Sequence, residues 1–325
     1  MTVELSEAAS EQAQYPESTQ TGRRYVVISP CRNEAEYLPI TLESMINQTV
    51  TPTLWLIVDD GSTDETPQMV EEASKKHPWI KLHRRADRGS RAVGAGVIEA
   101  FNEGLAQIDL DEFDYLCKLD TDLGLPEVYF QRLIERMESD PYLGNFSGKT
   151  YINPSGSKWV SERMGDENAI GPTKFYRTQC FKDIGGFVSQ VCWDGIDGHM
   201  CRMKGWKALS LDEEEIRVKH HRPHGSSQTS IWTGRQRWGR GKYFMGSSPL
   251  FMLGVAAYRS VERPFIIGSL GLLTGYTRAL LSGHERMKDR QYLRYMRRYE
   301  LRSLLFGKKR TMRAYHRKIE EAHAG

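Results

Sequence analysis

The sequence contains few cysteines, and their spacing argues against two kinds of cysteine-dependent site. Five cysteines occur among 325 residues, and no two of them stand in a Cys-x-x-Cys arrangement. Zinc-binding modules and the disulfide frameworks of small secreted domains place cysteines at such short, regular spacings. The pattern therefore indicates neither a zinc site nor a disulfide framework, and it favours a reducing compartment.

Long hydrophobic runs are also lacking. Residues 1–20 are polar and contain four glutamates, whereas a secretory signal needs an apolar segment. We therefore expect residues 1–22 to form a disordered leader. Two uncharged runs near the C-terminus, Tyr243–Tyr258 and Pro264–Thr277, are shorter than the roughly 20 residues of a membrane-spanning helix. No full transmembrane span is predicted.

Net positive charge is absent outside one C-terminal segment. The net charge of the chain is only +3, but Arg286–Lys318 contains thirteen lysines and arginines and two acidic residues. This segment therefore carries +11, which leaves −8 on the rest of the chain. Such a basic tail favours contact with phosphates, either of nucleic acid or of an anionic membrane surface.

Strands and helices alternate over residues 25–138. The predicted strands are Tyr25–Ser29, Leu54–Val58, Ile80–His83 and Asp114–Leu119, and the segments between them carry apolar residues at helical spacing. A helix is predicted from Pro126 to about Met137. This order predicts an α/β fold with a mostly parallel sheet and right-handed crossovers.

Acidic residues follow two of these strands. The second strand runs into Asp59 and Asp60, and the fourth into Asp120 and Asp122. Ligands of open α/β sheets bind at the carboxyl ends of the strands, where both pairs should meet. Carboxylates at i and i+2 of an extended segment point the same way, which suits a divalent cation bound with a diphosphate. Alternatively, each aspartate only caps amides of a turn or helix start.

Two loops add weaker signals. Ser62 and Glu65 have the spacing of a capping box, which predicts that a helix starts just after the second strand. The loop Arg84–Gly96 is rich in arginine and glycine and precedes a predicted helix. It could bind phosphate through backbone N–H groups and guanidinium groups, with Arg91 as the candidate, or it could be a solvated loop.

Further candidates lie between residues 190 and 240. Asp194 and Asp197 stand near the start of a predicted helix that runs on to Gly205-Trp206. An aspartate at this position often serves only as a cap, and this is the preferred interpretation for Asp197. His220 and its neighbour follow a short strand-like stretch and could bind a metal or be structural.

In their order, these features resemble the family 2 inverting glycosyltransferases, which have the GT-A nucleotide-sugar fold. The resemblance covers roughly residues 24–240. It rests on the opening strand with Pro30–Glu34, the VDDGSTD turn at 58–64, the Asp-x-Asp at 120–122, and Asp194 preceding Gly205-Trp206.

The resemblance implies a role for each matching residue. The nucleotide pocket would be formed by Pro30, Arg32, Glu34, Asp59, Asp60 and Asp120. Asp120 and Asp122 would bind Mg²⁺ or Mn²⁺ at the diphosphate, and His220 is a further candidate ligand. Asp194 would be the catalytic aspartate. Because Trp193 replaces the usual acidic residue before it, Asp197 stays a rival base.

Arg237 and Trp238 are similar to the end of the family's acceptor-side QxxRW motif, although Gly234 replaces its glutamine. That replacement argues against processive synthesis of a polymer. The implied activity is metal-dependent, inverting transfer of a sugar from a nucleotide sugar, with UDP as the expected nucleotide. The acceptor would be a lipid-linked or glycan compound in surface polysaccharide or glycoconjugate synthesis. The alternatives are a nucleotidyltransferase, or an α/β protein that binds nucleic acid through its basic tail.

The expected division of the chain is a catalytic domain at 23–242, apolar interfacial helices at 243–285 and a basic helical tail at 286–325. Tyr292, Tyr295 and Tyr299 among the arginines fit a helix that lies in a membrane interface. These features predict a peripheral protein at the cytoplasmic face of an anionic membrane. Alternatively, the apolar helices cover the enzyme's own sheet.

Overall fold

The computed structural model describes residues 22–86, 94–222, 230–261 and 265–324. All but the last residue of the predicted leader lie outside this part of the chain, as does most of the arginine- and glycine-rich loop, including Arg91.

Eleven strands form two sheets. In chain order they are β1 Tyr25–Cys31, β2 Leu54–Asp59, β3 Ile80–Arg84, β4 Tyr115–Leu119, β5 Leu123–Gly124, β6 Leu143–Ser147, β7 Thr150–Ile152, β8 Val160–Ser161, β9 Thr173–Arg177, β10 Lys207–Ser210 and β11 Val218–His220. The central sheet has the order β10-β6-β9-β4-β1-β2-β3, and the small one the order β5-β11-β7-β8. In the central sheet β9 runs antiparallel to its neighbours and the other pairs are parallel. The predicted mostly parallel α/β fold is confirmed.

Eleven α-helices complete the described chain. They are α1 Leu38–Ile46, α2 Thr66–Lys76, α3 Ala95–Leu105, α4 Tyr129–Ser139, α5 Thr178–Asp183, α6 Trp193–Met203, α7 Ile231–Phe244, α8 Pro249–Arg259, α9 Phe265–Leu281, α10 Arg290–Phe306 and α11 Lys308–Ala324. Within these residues, no helix combines the length and apolar character needed to cross a bilayer.

Strand β2 shows why the central sheet forms. All six of its residues are buried. Trp55 and Ile57 belong to the core on one face of the sheet, and Leu54, Leu56 and Val58 to the core on the other. An apolar run without alternation suits a strand covered on both faces. The apolar run ends at Asp59, the first residue of the strand whose side chain needs a hydrogen-bond or ion-pair partner when it is buried.

A helix follows the second strand's turn as predicted, but its capping box does not form, and the predicted start of the later helix at Pro126 is wrong. Helix α2 begins at Thr66, and the Ser62 hydroxyl accepts a hydrogen bond from Asn33 N at 2.9 Å instead of forming a capping box. The Thr66 N–H is bonded to Asp64 Oδ1 at 3.1 Å. Helix α4 begins at Tyr129 rather than Pro126, because the Pro126 carbonyl accepts from Tyr129 N at 3.0 Å in a turn.

The C-terminal helices pack on the part of the chain that precedes them. A Cβ at Gly239 on α7 would lie 2.0 Å from Leu272 O on α9, and one at Gly275 would lie 2.0 Å from Gln236 O. These two helices therefore approach as closely as only glycine permits. On α10 the three tyrosines at 292, 295 and 299 are buried, in a cluster that includes Ile196 of α6. The prediction that this tyrosine face meets a membrane is wrong, since the helix uses it to bind the domain.

Candidate functional site

The carboxyl ends of β1 and β2 bring the first motif residues together. Cys31 pairs with Asp59 across the two strands, and Asp60 N donates to Cys31 O at 2.8 Å. Arg32 Nη1 donates to Asp60 O at 2.5 Å, and Arg85 Nη1 lies 2.6 Å from Asp60 Oδ1. The predicted grouping of Arg32 with Asp60 is thus present, and Arg85 joins it from the end of β3.

Asp59 is almost fully buried at this edge. Its Oδ1 accepts a hydrogen bond from Ser62 N at 2.9 Å. Its Oδ2 lies 3.7 Å from Arg84 Nε and accepts no hydrogen bond within the described chain. A buried carboxylate oxygen normally has a hydrogen-bond donor, so this atom is suited to a donor group on a bound ligand. Pro30, one residue before Cys31, is partly buried on β1 and pairs with Val58.

The Asp-x-Asp residues at the end of β4 have different partners. The Asp120 carboxylate is bonded to the buried Lys118 ammonium, which also donates to Gly171 O at 3.1 Å. Asp122 Oδ2 accepts from Arg222 Nε at 3.1 Å, and Arg222 also pairs with Glu34. Arg222 thus joins the first motif to the Asp-x-Asp segment.

Asp122 and His220 offer the donor atoms that fit a divalent cation. Asp122 Oδ1 is buried and accepts no hydrogen bond from any described residue, and His220 Nε2 lies 3.7 Å away. Burial and the neighbouring Asp120 raise the pKa of Asp122, so this carboxylate would be stabilised by a cation. Over the described ranges, no group of three or more His, Cys, Asp or Glu side chains is arranged around a metal position. Mg²⁺ needs only one or two protein carboxylates when substrate phosphates supply other ligands.

In space, a single residue, Gly171, separates Asp194 from the Lys118–Asp120 pair of the Asp-x-Asp segment. A Cβ at Gly171 would lie 3.3 Å from Asp194 Oδ2, and the carbonyl of the same glycine accepts from Lys118, the partner of Asp120. Asp194 is in the first turn of α6 and partly exposed. It lines a cavity of about 180 Å³ together with Gly171, Glu167, Asn168, Trp238 and Lys242.

Asp197 is in a different environment. Its Oδ2 lies 2.6 Å from the Lys174 ammonium and accepts from the Tyr176 hydroxyl, and its Oδ1 accepts from Gly198 N at 2.6 Å. Burial raises the pKa of Asp197, and the Lys174 charge opposes that shift. Asp197 is 1% exposed and is not among the residues that line the cavity. Its contacts are those of an internal ion pair that fixes α6 on the sheet.

The ion pair predicts the effect of removing its carboxylate. Asp197→Asn should lower the free energy of unfolding by roughly 3–5 kcal/mol, because it leaves the Lys174 ammonium buried without its counter-ion. Urea denaturation followed by circular dichroism measures the change. The matched control is Asp111→Asn, which breaks an exposed pair with Lys182 and should cost about 1 kcal/mol or less. Near-native stability together with lost activity would instead assign Asp197 to catalysis.

The acceptor-side candidates lie on α7. Trp238 lines the cavity, and the Arg259 guanidinium lies 4.3 Å from the centre of its ring. Arg237 is partly exposed, and burial lowers its pKa. The structure therefore brings Trp238 to the same cavity as Asp194, whereas Arg237 is not among the residues that line it.

Three cations of this region had no place in the predicted site: Lys118, Arg222 and Lys242. For Lys118 a signal was available, since it stands two residues before Asp120, and alternate residues of a strand share a face. The other two come from distant parts of the chain, and only the folded structure brings them to this region.

A mostly parallel sheet with acidic and basic groups at its carboxyl edge is the arrangement of the nucleotide-sugar transferases. The mannosyltransferase PcManGT from Pyrobaculum calidifontis, solved with GDP-Man and Mn²⁺, matches 92% of this chain and 86% of its own with a TM-score of 0.52 and 17% identity. TarS 1–349 from S. aureus, solved with UDP-GlcNAc, matches 93% of this chain and 91% of its own with a TM-score of 0.52 and 16% identity. The predicted GT-A fold is confirmed.

The family follows from the sequence match. The family model described as Glycosyl transferase family 2 matches residues 26–193, and the chain belongs to this family. The beta-monoglucosyldiacylglycerol synthase of Synechocystis sp. is 25% identical over 206 residues, 58% of this chain and 40% of that protein. The poly-beta-1,6-N-acetyl-D-glucosamine synthase of Staphylococcus epidermidis is 28% identical over 232 residues, 65% of this chain and 52% of that protein. This chain thus spans about half the length of these two relatives.

Proposed function

We propose that this glycosyltransferase moves a sugar from a UDP-sugar to a lipid-linked or glycan acceptor by a single inverting displacement. The observation that carries the proposal is the position of Asp194. Its side chain lines the cavity, and Gly171 alone separates it from the Lys118–Asp120 pair. Support for the donor comes from the UDP-GlcNAc complex of the structurally similar TarS. Support for the acceptor class comes from the names of the two relatives, a glycolipid synthase and a polysaccharide synthase.

Asp194 is the proposed general base. Within the described residues its carboxylate makes no hydrogen bond or ion pair, in contrast to Asp120 and Asp197. A carboxylate can remove the proton of an acceptor hydroxyl because the hydroxyl becomes acidic as its bond to the anomeric carbon forms. Attack and departure then occur on opposite faces of the sugar, which inverts the anomeric centre without a covalent sugar intermediate.

The donor site is proposed at the ends of β1, β2 and β4. Arg32, Asp59 and Asp60 would contact the nucleoside, and Glu34 and Arg222 would border the diphosphate. Asp122 and His220 would hold Mg²⁺ or Mn²⁺, and Asp120 would lie beside them. When bound, such an ion would stabilise the negative charge of the leaving diphosphate.

One screen tests the proposal as a whole. The full chain is incubated with a panel of UDP- and GDP-sugars, with and without Mn²⁺ and a polyprenyl-phosphate acceptor, and released nucleotide is measured. We expect acceptor-dependent release of UDP. Release of pyrophosphate from a nucleoside triphosphate would instead indicate a nucleotidyltransferase.

An exposed apolar surface supports a membrane-associated acceptor. We define the apolar patch as Leu250, Leu253, Tyr258, Val261, Phe265, Ile266, Ile267 and Leu270 from α8, α9 and their connection, with Leu301, Leu304, Leu305 and Phe306 of α10. Each of these side chains is more than 40% exposed. The two parts adjoin, because a Cβ at Gly254 of α8 would lie 2.7 Å from Leu304. Helix α10 also exposes five arginines, at 290, 294, 297, 298 and 302.

We therefore propose that the apolar patch lies in the interface of an anionic membrane at the cytoplasmic face. Large exposed apolar patches are unusual on monomeric proteins unless they bind something. Apolar side chains beside arginines are typical of elements that lie in the headgroup region. In this proposal, residues 23–242 form the catalytic domain, 243–285 the interfacial helices and 286–325 the basic tail.

Liposome flotation tests the membrane proposal. The full chain should float with vesicles that contain phosphatidylserine, and the double variant Leu253→Glu with Ile267→Glu should bind them at least about tenfold more weakly. Each substitution removes roughly 1.5–3 kcal/mol of apolar burial. Val160→Glu on β8, which replaces an exposed valine outside the patch, is the control and should float like the wild type. Unchanged flotation of the double variant would contradict the proposal.

A further inference from the structure

The cavity beside Asp194 contains a lysine in an unusual position. Lys242 lies in the last turn of α7 and lines the cavity with Asp194 and Trp238. Its Nζ lies 3.7 Å from Met245 Sδ, a weak acceptor. Among the residues that the structure describes, Lys242 forms no ion pair within 4 Å.

Lys242 is partly exposed where it lines the cavity. The buried lysines show how this chain compensates a charge that is removed from water. Lys118, Lys149, Lys174 and Lys207 are each paired with an aspartate, at positions 120, 166, 197 and 140 respectively. Glu167, another residue that lines the cavity, is not the counter-ion of Lys242, since it is paired with Lys308 of α11. Lys242 therefore departs from a consistent pattern.

An uncompensated ammonium has an energetic cost that a ligand can remove. Burial lowers the pKa of Lys242, while Glu300 and Asp194 attract its charge from beyond ion-pair distance. Partial removal of an ammonium from water without a counter-ion costs free energy. An anion bound in the cavity would recover part of that energy through charge-assisted hydrogen bonds.

The anion is assigned to the acceptor rather than to the donor. The proposed donor site has its own cations in Arg32, Arg85 and Arg222, which bond Asp60, Glu34 and Asp122. Lys242 instead shares a cavity with Trp238 and the proposed base.

We propose that Lys242 binds an anionic group of the acceptor, a phosphate or a carboxylate, next to the hydroxyl that faces Asp194. This inference rests on the proposed function, since it takes the cavity as the acceptor site. It narrows the acceptor class from any lipid-linked or glycan hydroxyl compound to one that carries a negative charge close to its reacting hydroxyl.

Three matched glycosides test the inference: octyl glucoside, octyl glucoside 6-phosphate and octyl glucuronide, which differ in their charge. Their binding to the full chain saturated with UDP is measured by isothermal titration calorimetry. The wild type should bind at least one anionic glycoside at least tenfold more tightly than the neutral one. The phosphate and carboxylate arms identify the preferred anion.

Variants of Lys242 complete the test. Lys242→Gln and Lys242→Met should each abolish the preference for the anion while leaving the affinity for UDP unchanged; thermal unfolding identifies which of them is folded. Arg240→Gln removes an exposed charge from the same helix and should keep the preference.

Several results would overturn the inference. One is that the wild type binds the three glycosides equally or not at all. Another is that both folded Lys242 variants keep the preference for the anion. A third is that the variants lose equal affinity for neutral and anionic glycosides. A loss of UDP affinity would assign Lys242 to the leaving diphosphate. Failure of the wild type to bind UDP would overturn the proposed function itself, which distinguishes the two failures.

Discussion

Asp194→Asn is expected to reduce sugar transfer at least about 100-fold while the affinity for UDP stays nearly unchanged. A positioned general base typically contributes 10²–10⁴-fold to a rate, and asparagine keeps the shape of aspartate but cannot accept the proton. Because the Asp194 carboxylate has no ion pair within the described residues, the substitution should leave the fold intact. Acceptor-dependent UDP release measures the rate, and calorimetry measures UDP binding.

The control for this prediction is Glu167→Gln, which changes another carboxylate that lines the same cavity. Glu167 is paired with Lys308 and should lose less than tenfold in rate. Activity above one tenth of the wild type in Asp194→Asn, with UDP binding intact, would remove Asp194 from the role of base.

Asp122→Ala is expected to abolish the dependence of UDP affinity on a divalent cation. The substitution removes the buried Oδ1 that accepts no hydrogen bond from the described residues and lies 3.7 Å from His220 Nε2. It also releases Arg222, which pairs with Asp122 Oδ2 at 3.1 Å. UDP affinity is measured by titration in MnCl₂ and in EDTA. For the wild type we expect Mn²⁺ to raise the UDP affinity by roughly 10–100-fold.

Wild-type protein in EDTA is the reference state for this variant. With MnCl₂ present, Asp122→Ala should bind UDP no more tightly than that reference. If the variant kept the full Mn²⁺-dependent gain, the cation would have to be held elsewhere, and the assignment of Asp122 and His220 would fail.

Much of the central sheet was predictable because its signals are local. Strand β2 is a continuous apolar run that ends at Asp59, and β1 and β4 are mostly apolar, with Ser29 and Lys118 inside them. A strand buried on both faces of a sheet requires such a run, and parallel neighbours place their carboxyl ends at one edge. The pattern therefore predicted that the acidic residues meet at this edge, whereas the place of Arg32 beside Asp60 was implied by the family resemblance.

The C-terminal helices were harder to predict because two environments suit the same residues. Tyrosines spaced along α10 among arginines fit a membrane interface, but they also fit a protein core whose rim is charged. In the structure Arg202 Nε of α6 donates to the Tyr295 hydroxyl at 3.2 Å, and its guanidinium lies 5.7 Å from the centre of the Tyr299 ring. The contact with Arg202 of α6 decides in favour of a protein core over a membrane interface. The periodicity of a helix does not reveal which partner its apolar face will meet.

The sequence by itself determined the order of strands and helices over residues 25–138 and the edge at which the acidic residues gather, because apolar runs and strand direction are local properties. Only the tertiary structure decided what each carboxylate does. Asp197 meets Lys174 in a buried pair, Asp122 meets Arg222 from 100 residues away, and Asp194 faces a cavity. The physical reason is that the chemistry of an aspartate depends on its desolvation and its counter-ions, and distant parts of the chain supply both.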